Sequence, residues 1–250
     1  MRLSHLFYAA ISTTVLLSAE GDIAPVDNTM TENTDLSMNG LAVGMSIGTL
    51  GIDAEYTQML SEEYGLAFRI MGGGFSYNGT YDDTDATYDT DVRLLNLGAV
   101  LEYHPFKNGF YVGSGLFYNG NKFELNAKPA AGATYTFNGT TYNANLVGDV
   151  TGKVENLNKA VPYIGVGYDD SLFDSGNLFF TLKAGAWYQG SPEVSLTSNN
   201  CQLGSVPAVP GAPTCSDLQR DLNAEAASIN NDIKDYSWWP VLQIGFIYKF

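Results

Sequence analysis

Most of the ionisable residues that could do chemistry in this chain sit inside runs that alternate bulky with small side chains, and that placement limits what they can do. Asp53, Glu55, Arg69, Glu102, Lys183 and Lys249 fall on the small-residue face of such runs. Charges gathered on one face can pair into a polar plug, or they can line a path and select a solute by charge. Unpaired ions held away from water cost several kcal/mol each, so pairing is required in either case. A second group is the segment 81–91, where Asp82, Asp83, Asp85, Asp89 and Asp91 place five carboxylates in ten residues. Its field alone would concentrate cations. If the protein captures a basic solute, this segment is the first candidate; solvated loop surface is the plainer reading. Calcium-loop chemistry fails on pattern, because no Gly follows the third ligand and no Glu closes the loop.

Nucleophilic and metal chemistry find little support. His5 lies in the leader and His104 beside a Pro turn, with no serine or base paired to either, so no catalytic site is expected. Cys201 and Cys215 share one Pro-rich segment. In an oxidising compartment they are a disulfide candidate; a metal site lacks a second pair or a nearby histidine. No cofactor is expected. The net charge of -15 argues against nucleic acid and suits an acidic, solvated surface.

The elements that must position these residues are strands. Pro240–Phe250 ends the chain with Leu242, Ile244, Phe246, Tyr248 and Phe250 on one face, and Val241, Gln243, Gly245, Ile247 and Lys249 on the other. A period of two with bulky apolar residues opposite small or polar ones reads as lipid outside and lumen inside. Trp238 shares the Phe250 face twelve residues earlier. That separation is about 30 Å along the membrane normal, enough to put an aromatic at each edge of the apolar band. Tyr103, Phe110 and Tyr188 are expected to complete this girdle.

Seven further runs show the same dyad, near 41–48, 52–60, 65–77, 93–104, 110–125, 154–168 and 178–194. Short links at 61–64, 105–109 and 169–177 alternate with long ones at 78–92, 126–153 and 195–235; only the first loop, at 49–51, breaks this pattern by being short. This predicts an all-β fold: an eight-stranded antiparallel transmembrane β-barrel of the bacterial outer membrane, both termini periplasmic, long loops extracellular. Residues 1–21 read as a signal peptide cleaved after Ala19 or Gly21, 22–38 as a flexible lead-in, and 39–250 as the barrel. Within the last loop, Leu218, Leu222, Ala226, Ile229 and Ile233 recur at helical spacing, with Ser216 and Gln219 at capping-box spacing. Pro162 and Pro240 inside strands predict bulges or unpaired points. Asn78-Gly79 and Asn138-Gly139 read as turns or as glycosylation sequons.

The stretches Val161–Tyr168, Ala184–Leu196, Asn223–Asp232 and Tyr236–Phe246 resemble the CarO-type outer-membrane proteins, well over the last hundred residues or so and more loosely across strands three to five, where Tyr103–Phe106 fits the turn. The resemblance implies an eight-stranded barrel connected with carbapenem susceptibility and with uptake of ornithine and other basic amino acids. The Cys201–Cys215 insertion and the acidic segment depart from it. The expected function is passive, selective passage of small cationic solutes. Alternatives are a closed structural or surface-interaction barrel and a laterally opening channel for hydrophobic solutes resembling the OmpW type. Expected partners are outer-membrane lipid and lipopolysaccharide, small cationic solutes, and the barrel-assembly machinery acting on the strand that ends at Phe250.

Overall fold

The computed structural model describes residues 41–83, 86–130, 132–155, 157–171, 176–204 and 212–250. The leader, the lead-in and Asp85 lie outside the described residues. In chain order the strands are β1 (Leu41–Gly48), β2 (Gly51–Ser61), β3 (Leu66–Asp82), β4 (Ala86–Tyr103), β5 (Phe110–Asn119), β6 (Lys122–Pro129), β7 (Thr134–Phe137) and β8 (Thr140–Asn143). The short helix α1 (Ala144–Val147) precedes β9 (Asp149–Glu155), β10 (Ala160–Ser171), β11 (Leu178–Tyr188) and β12 (Glu193–Asn199). The helix α2 (Cys215–Ile233) and β13 (Trp238–Lys249) complete the chain.

Eight strands close on themselves in the order β1, β2, β3, β4, β5, β10, β11, β13 and back to β1, every neighbour antiparallel. Closure leaves no edge within the barrel, which is the condition for placing a sheet in lipid. Side chains follow the expected dyad. In β13 exposed and buried residues alternate from Trp238 to Tyr248, with Leu242, Ile244 and Phe246 outward and Val241, Gln243 and Ile247 inward. Among the described residues, no helix is long and apolar enough to cross a membrane.

Among the described residues, the long links are largely strand and helix rather than loop. The β3–β4 hairpin keeps its register from Leu66↔Tyr103 out to Asp82↔Thr87, so residues 78–82 and 87–92 are ladder, not a loop. Likewise the runs expected at 110–125, 154–168 and 178–194 each break at the rim. Past the break β6, β9 and β12 carry on from β5, β10 and β11. At the first break Gly120 N donates to Leu95 O, and Asn121 Oδ1 accepts from Leu95 N. One side of the wall therefore continues past the mouth as a sheet ordered β3, β4, β6, β9, β12.

Helix α2 covers the inner face of this extension. Leu218, Leu222, Ala226, Ile229 and Ile233 are buried against Tyr88, Leu125, Val150, Val194 and Leu196. Its cap is Thr214 with Asp217, not Ser216 with Gln219: Thr214 Oγ1 accepts from Asp217 N, and Asp217 accepts from Thr214 N. Asn230 pairs with both backbone groups of Val194, and Gln219 donates to Leu196 O, so the outermost strand is not an open edge there. Asn138 and Gly139 both have positive φ and form the expected turn of the β7–β8 hairpin, whereas Asn78-Gly79 lies within β3. Neither proline produces a bulge. Pro162 and Pro240 sit in continuous register, and Thr49 Oγ1 bridges Pro240 O and Leu242 N beside the second.

Candidate functional site: the barrel interior

The inward faces of five strands, β2, β3, β4, β11 and β13, hold the sequence-predicted charges. Arg69 of β3 is the centre. Its Nε donates to Glu102 Oε1 at 2.6 Å, its Nη2 to Asp169 Oδ2 at 3.0 Å, and its Nη1 lies 3.0 Å from Glu55 Oε2. Its guanidinium also stands 5.3 Å from the Tyr111 ring centroid. Lys183 of β11 meets the same Glu55 oxygen at 2.5 Å and donates to Ser46 Oγ at 3.4 Å. Arg69 and Glu102 are each only 1% exposed, so the network is sealed from solvent. One guanidinium thus ties β2, β3, β4 and β10 across the lumen, and Lys183 adds β11.

Asp53 sits one layer nearer the mouth. It accepts from Asn96 Nδ2 at 2.7 Å and from Gln243 Nε2 at 2.6 Å. Two neutral amide donors here take the place of a cation. Lys249 lies toward the end with the short turns. It forms no ion pair among the described residues, and its Nζ lies 3.8 Å from the Phe179 ring centroid, a cation–π contact.

Between the ion network and the mouth an aromatic layer fills the bore. Phe117 meets Tyr163 at 5.4 Å and Trp187 at 5.6 Å between ring centroids, and Trp239 and Leu50 are buried in the same cluster. Gly98 leaves room for the Phe117 ring, since a Cβ there would come within 2.2 Å of it. An eight-stranded barrel is just wide enough to be filled by side chains, and this one is.

Asp169 is the member of the interior ion network that sequence reasoning misses, because it falls in the turn expected at 169–177. A signal for it exists: Tyr163, Gly165 and Gly167 point inward, and two further residues along the same face is Asp169. The acidic segment is corrected in the other direction. Asp82, Asp89 and Asp91 lie on the outer face of the β3–β4 hairpin, away from the mouth, and Asp83 lies in its turn. Asp89 meets Lys128 Nζ at 2.6 Å and accepts from Thr80, contacts that hold its carboxyl below the usual carboxylate range and the Lys128 ammonium above its own. Asp82 accepts from Thr87. These carboxylates do not converge on one point.

The girdle residues all face outward. Tyr188 and Trp238 pack edge to face at 5.3 Å near the mouth; Tyr103, Phe110 and Phe250 lie at the opposite end, with Phe250 against Tyr248 at 5.0 Å. Cys201 and Cys215 are disulfide-bonded and join the end of the β12 arm to the first turn of α2. His104 is buried in the turn before β5, where its Nδ1 lies 3.1 Å from Asn108 O. Among the described residues no His, Cys, Asp and Glu cluster has metal-holding geometry.

A closed eight-stranded antiparallel barrel with an apolar outside and a charged inside is a barrel of the outer-membrane type. No protein-family model matches the chain, and no curated protein matches it. Solved structures do. The crystal structure of Acinetobacter baumannii CarO2 matches with a TM-score of 0.56 at 24% identity, covering 84% of this chain and 98% of that one. That of Acinetobacter baumannii CarO matches with a TM-score of 0.54 at 23% identity, covering 87% and 100%. A major outer membrane protein from Thermus thermophilus aligns at 15% identity with a TM-score of 0.45, over 84% and 98%. The CarO-type resemblance read from the sequence is therefore present in the fold.

Proposed function

We propose that this protein is a closed-lumen barrel of the bacterial outer membrane, whose working surface is the sheet-and-helix platform above its mouth. The platform end faces the cell exterior, and the end carrying the short turns, with Leu41 and Phe250, faces the periplasm. The observation that carries this reading is the binding of Arg69 to three carboxylates at 1% exposure. Such a network stiffens a barrel and obstructs it at once. An aromatic layer backs it on the side toward the mouth.

The second reading is gated passage of small cationic solutes, such as ornithine and other basic amino acids, with entry of carbapenems. The carboxylate excess inside favours it: Asp53, Glu55, Glu102 and Asp169 stand against Arg69, Lys183 and Lys249. Passage would require Arg69 to leave at least one partner. A laterally opening route for hydrophobic solutes has no such support, since each of the eight wall strands is paired with a neighbour on both sides.

Uptake into liposomes decides between the first two. The mature chain is refolded into vesicles and offered ornithine, glutamate and a neutral sugar of similar size. Exclusion of all three is expected for the closed barrel. Entry of ornithine ahead of glutamate would replace it with the gated path.

A further inference from the structure

The outer wall carries a groove of about 1110 Å³ lined by Ala54, Glu55 and Tyr56 of β2, Ile70 to Ser76 of β3, and Arg93 to Leu97 of β4. All of these come from three adjacent strands, and no residue of the opposite wall contributes. The groove therefore opens away from the lumen. Its floor is made by missing side chains. Gly72 and Gly74 occupy outward positions in β3, in register with the outward Ala54 of β2 and the outward Leu97 and Leu95 of β4. Around them the wall is bulky, with Tyr56, Ile70, Leu95 and Leu97 all exposed.

From Ile70 to Ser76 the slot runs about 20 Å along the strand, or about 15 Å along the normal at ordinary barrel tilt. That is half of a hydrocarbon core of about 30 Å, the depth of one leaflet. Its polar end is marked by a change of character along β4: Leu97 and Leu95 give way to Arg93, then to Asp91 and Asp89. Arg93 is paired in register with Lys122 of β6, and both are exposed. Neither has a carboxylate partner among the described residues. The next row outward is acidic, with Asp91 beside Glu124, and Glu124 is held by Lys153 at 3.3 Å. An anion is thus favoured only at the Arg93–Lys122 row, where headgroups lie.

We propose that this groove is a binding site for one lipid of the surrounding leaflet whose phosphate headgroup carries net negative charge. An acyl chain lies over Gly72 and Gly74, and its phosphate meets Arg93 and Lys122. Assigning that lipid to the outer leaflet, as the lipid A part of lipopolysaccharide, rests on the orientation proposed above; the binding itself does not.

Native mass spectrometry of the refolded protein in neutral detergent tests it, with lipid A and phosphatidylcholine offered together and inorganic phosphate offered alone. The expected result is retention of one lipid A per chain, preferred about tenfold or more over phosphatidylcholine, with inorganic phosphate not retained. Ala54→Leu, which fills the slot from the lipid side, should lower retention of both lipids. The Arg93→Gln/Lys122→Gln double variant should keep lipid retention but lose the preference. Heat-modifiable gel mobility verifies folding, and the double variant decides alone if Ala54→Leu does not fold. Equal retention of the two lipids by the native chain, or an unchanged preference in the double variant, overturns the site. Neither result bears on solute uptake, so this inference and the closed-lumen reading fail separately.

Discussion

Arg69 is the residue on which the interior depends. Removing it leaves Glu55, Glu102 and Asp169 together in a sealed layer, with only Lys183 to compensate. Breaking a buried network by deleting its central partner costs about 3–5 kcal/mol, because the remaining charges stay desolvated. Arg69→Met should accordingly destabilise the refolded barrel by that amount, read from the urea dependence of the heat-modifiable gel shift. Replacing Arg69 together with Glu102 and Asp169 by apolar residues, which leaves Glu55 paired with Lys183, should recover most of it. A single variant as stable as the native barrel would show that water reaches the network. Outside the membrane, Tyr142 Oη donates to Asp221 at 2.6 Å, fastening β8 to α2 with both side chains buried. Burial and this bond push the tyrosine up to about 12, while the same bond pulls Asp221 below its ordinary 3.8. A raised tyrosine contributes fully below pH 10 and loses its contribution as pH rises through about 12. A depressed aspartate contributes above 3.8 and loses its contribution as pH falls through its lower folded value. The clasp should therefore be pH-independent across the neutral range and weaken at both extremes. In an ultraviolet phenolate titration, Tyr142→Phe should lose one late-ionising tyrosine; an unchanged late step would place that group elsewhere.

At the scale of elements, the platform is held on the barrel by features separable from the wall. The Cys201–Cys215 bond closes a loop of sequence separation 14 at the start of α2. By chain entropy such a closure is worth about 3 kcal/mol. Reduction, or Cys201→Ser with Cys215→Ser, should loosen α2, seen as faster amide exchange over its residues, while the gel shift of the barrel is unchanged. Loss of the gel shift as well would mean that the platform and wall unfold together. The same division explains what could be read from sequence. The eight barrel strands were legible because one environment, lipid, demands apolar residues at every second position, as in β13. The platform strands obey the same period, with Ala86, Tyr88 and Val92 inward against Thr87, Asp89 and Asp91. Their outer face meets water, however, so its carboxylates read as a loop. The rim breaks at Gly120–Asn121 and near Gly190 were hidden because the period of two continues past them with its inward face still apolar. The helix was visible from its apolar spacing, but its cap was displaced by two residues, since Thr214–Asp217 and Ser216–Gln219 have equal spacing and only the backbone geometry separates them.

For the whole molecule, the asymmetry between the two ends carries the argument about orientation. One end holds the turns after β2 and β4, both described termini, and the lower ring of Tyr103, Phe110 and Phe250. The other holds, among the described residues, five strands that outrun the wall, two helices and a hydrophobic core of their own. In outer-membrane barrels, which insert from the periplasm, the short turns stay on that side and the long connections reach the exterior. A short epitope inserted after Gly139, in a turn with open space around it, should bind antibody on intact cells. The same epitope inserted after Glu63, in the turn between β2 and β3, should bind only after the outer membrane is permeabilised. Both insertions avoid the strand ladders, so the barrel should still show its gel shift. Reversal of the two signals would turn the molecule over in the membrane. The platform would then become a periplasmic surface, and the leaflet that supplies lipid to the groove beside Arg93 would be the inner one.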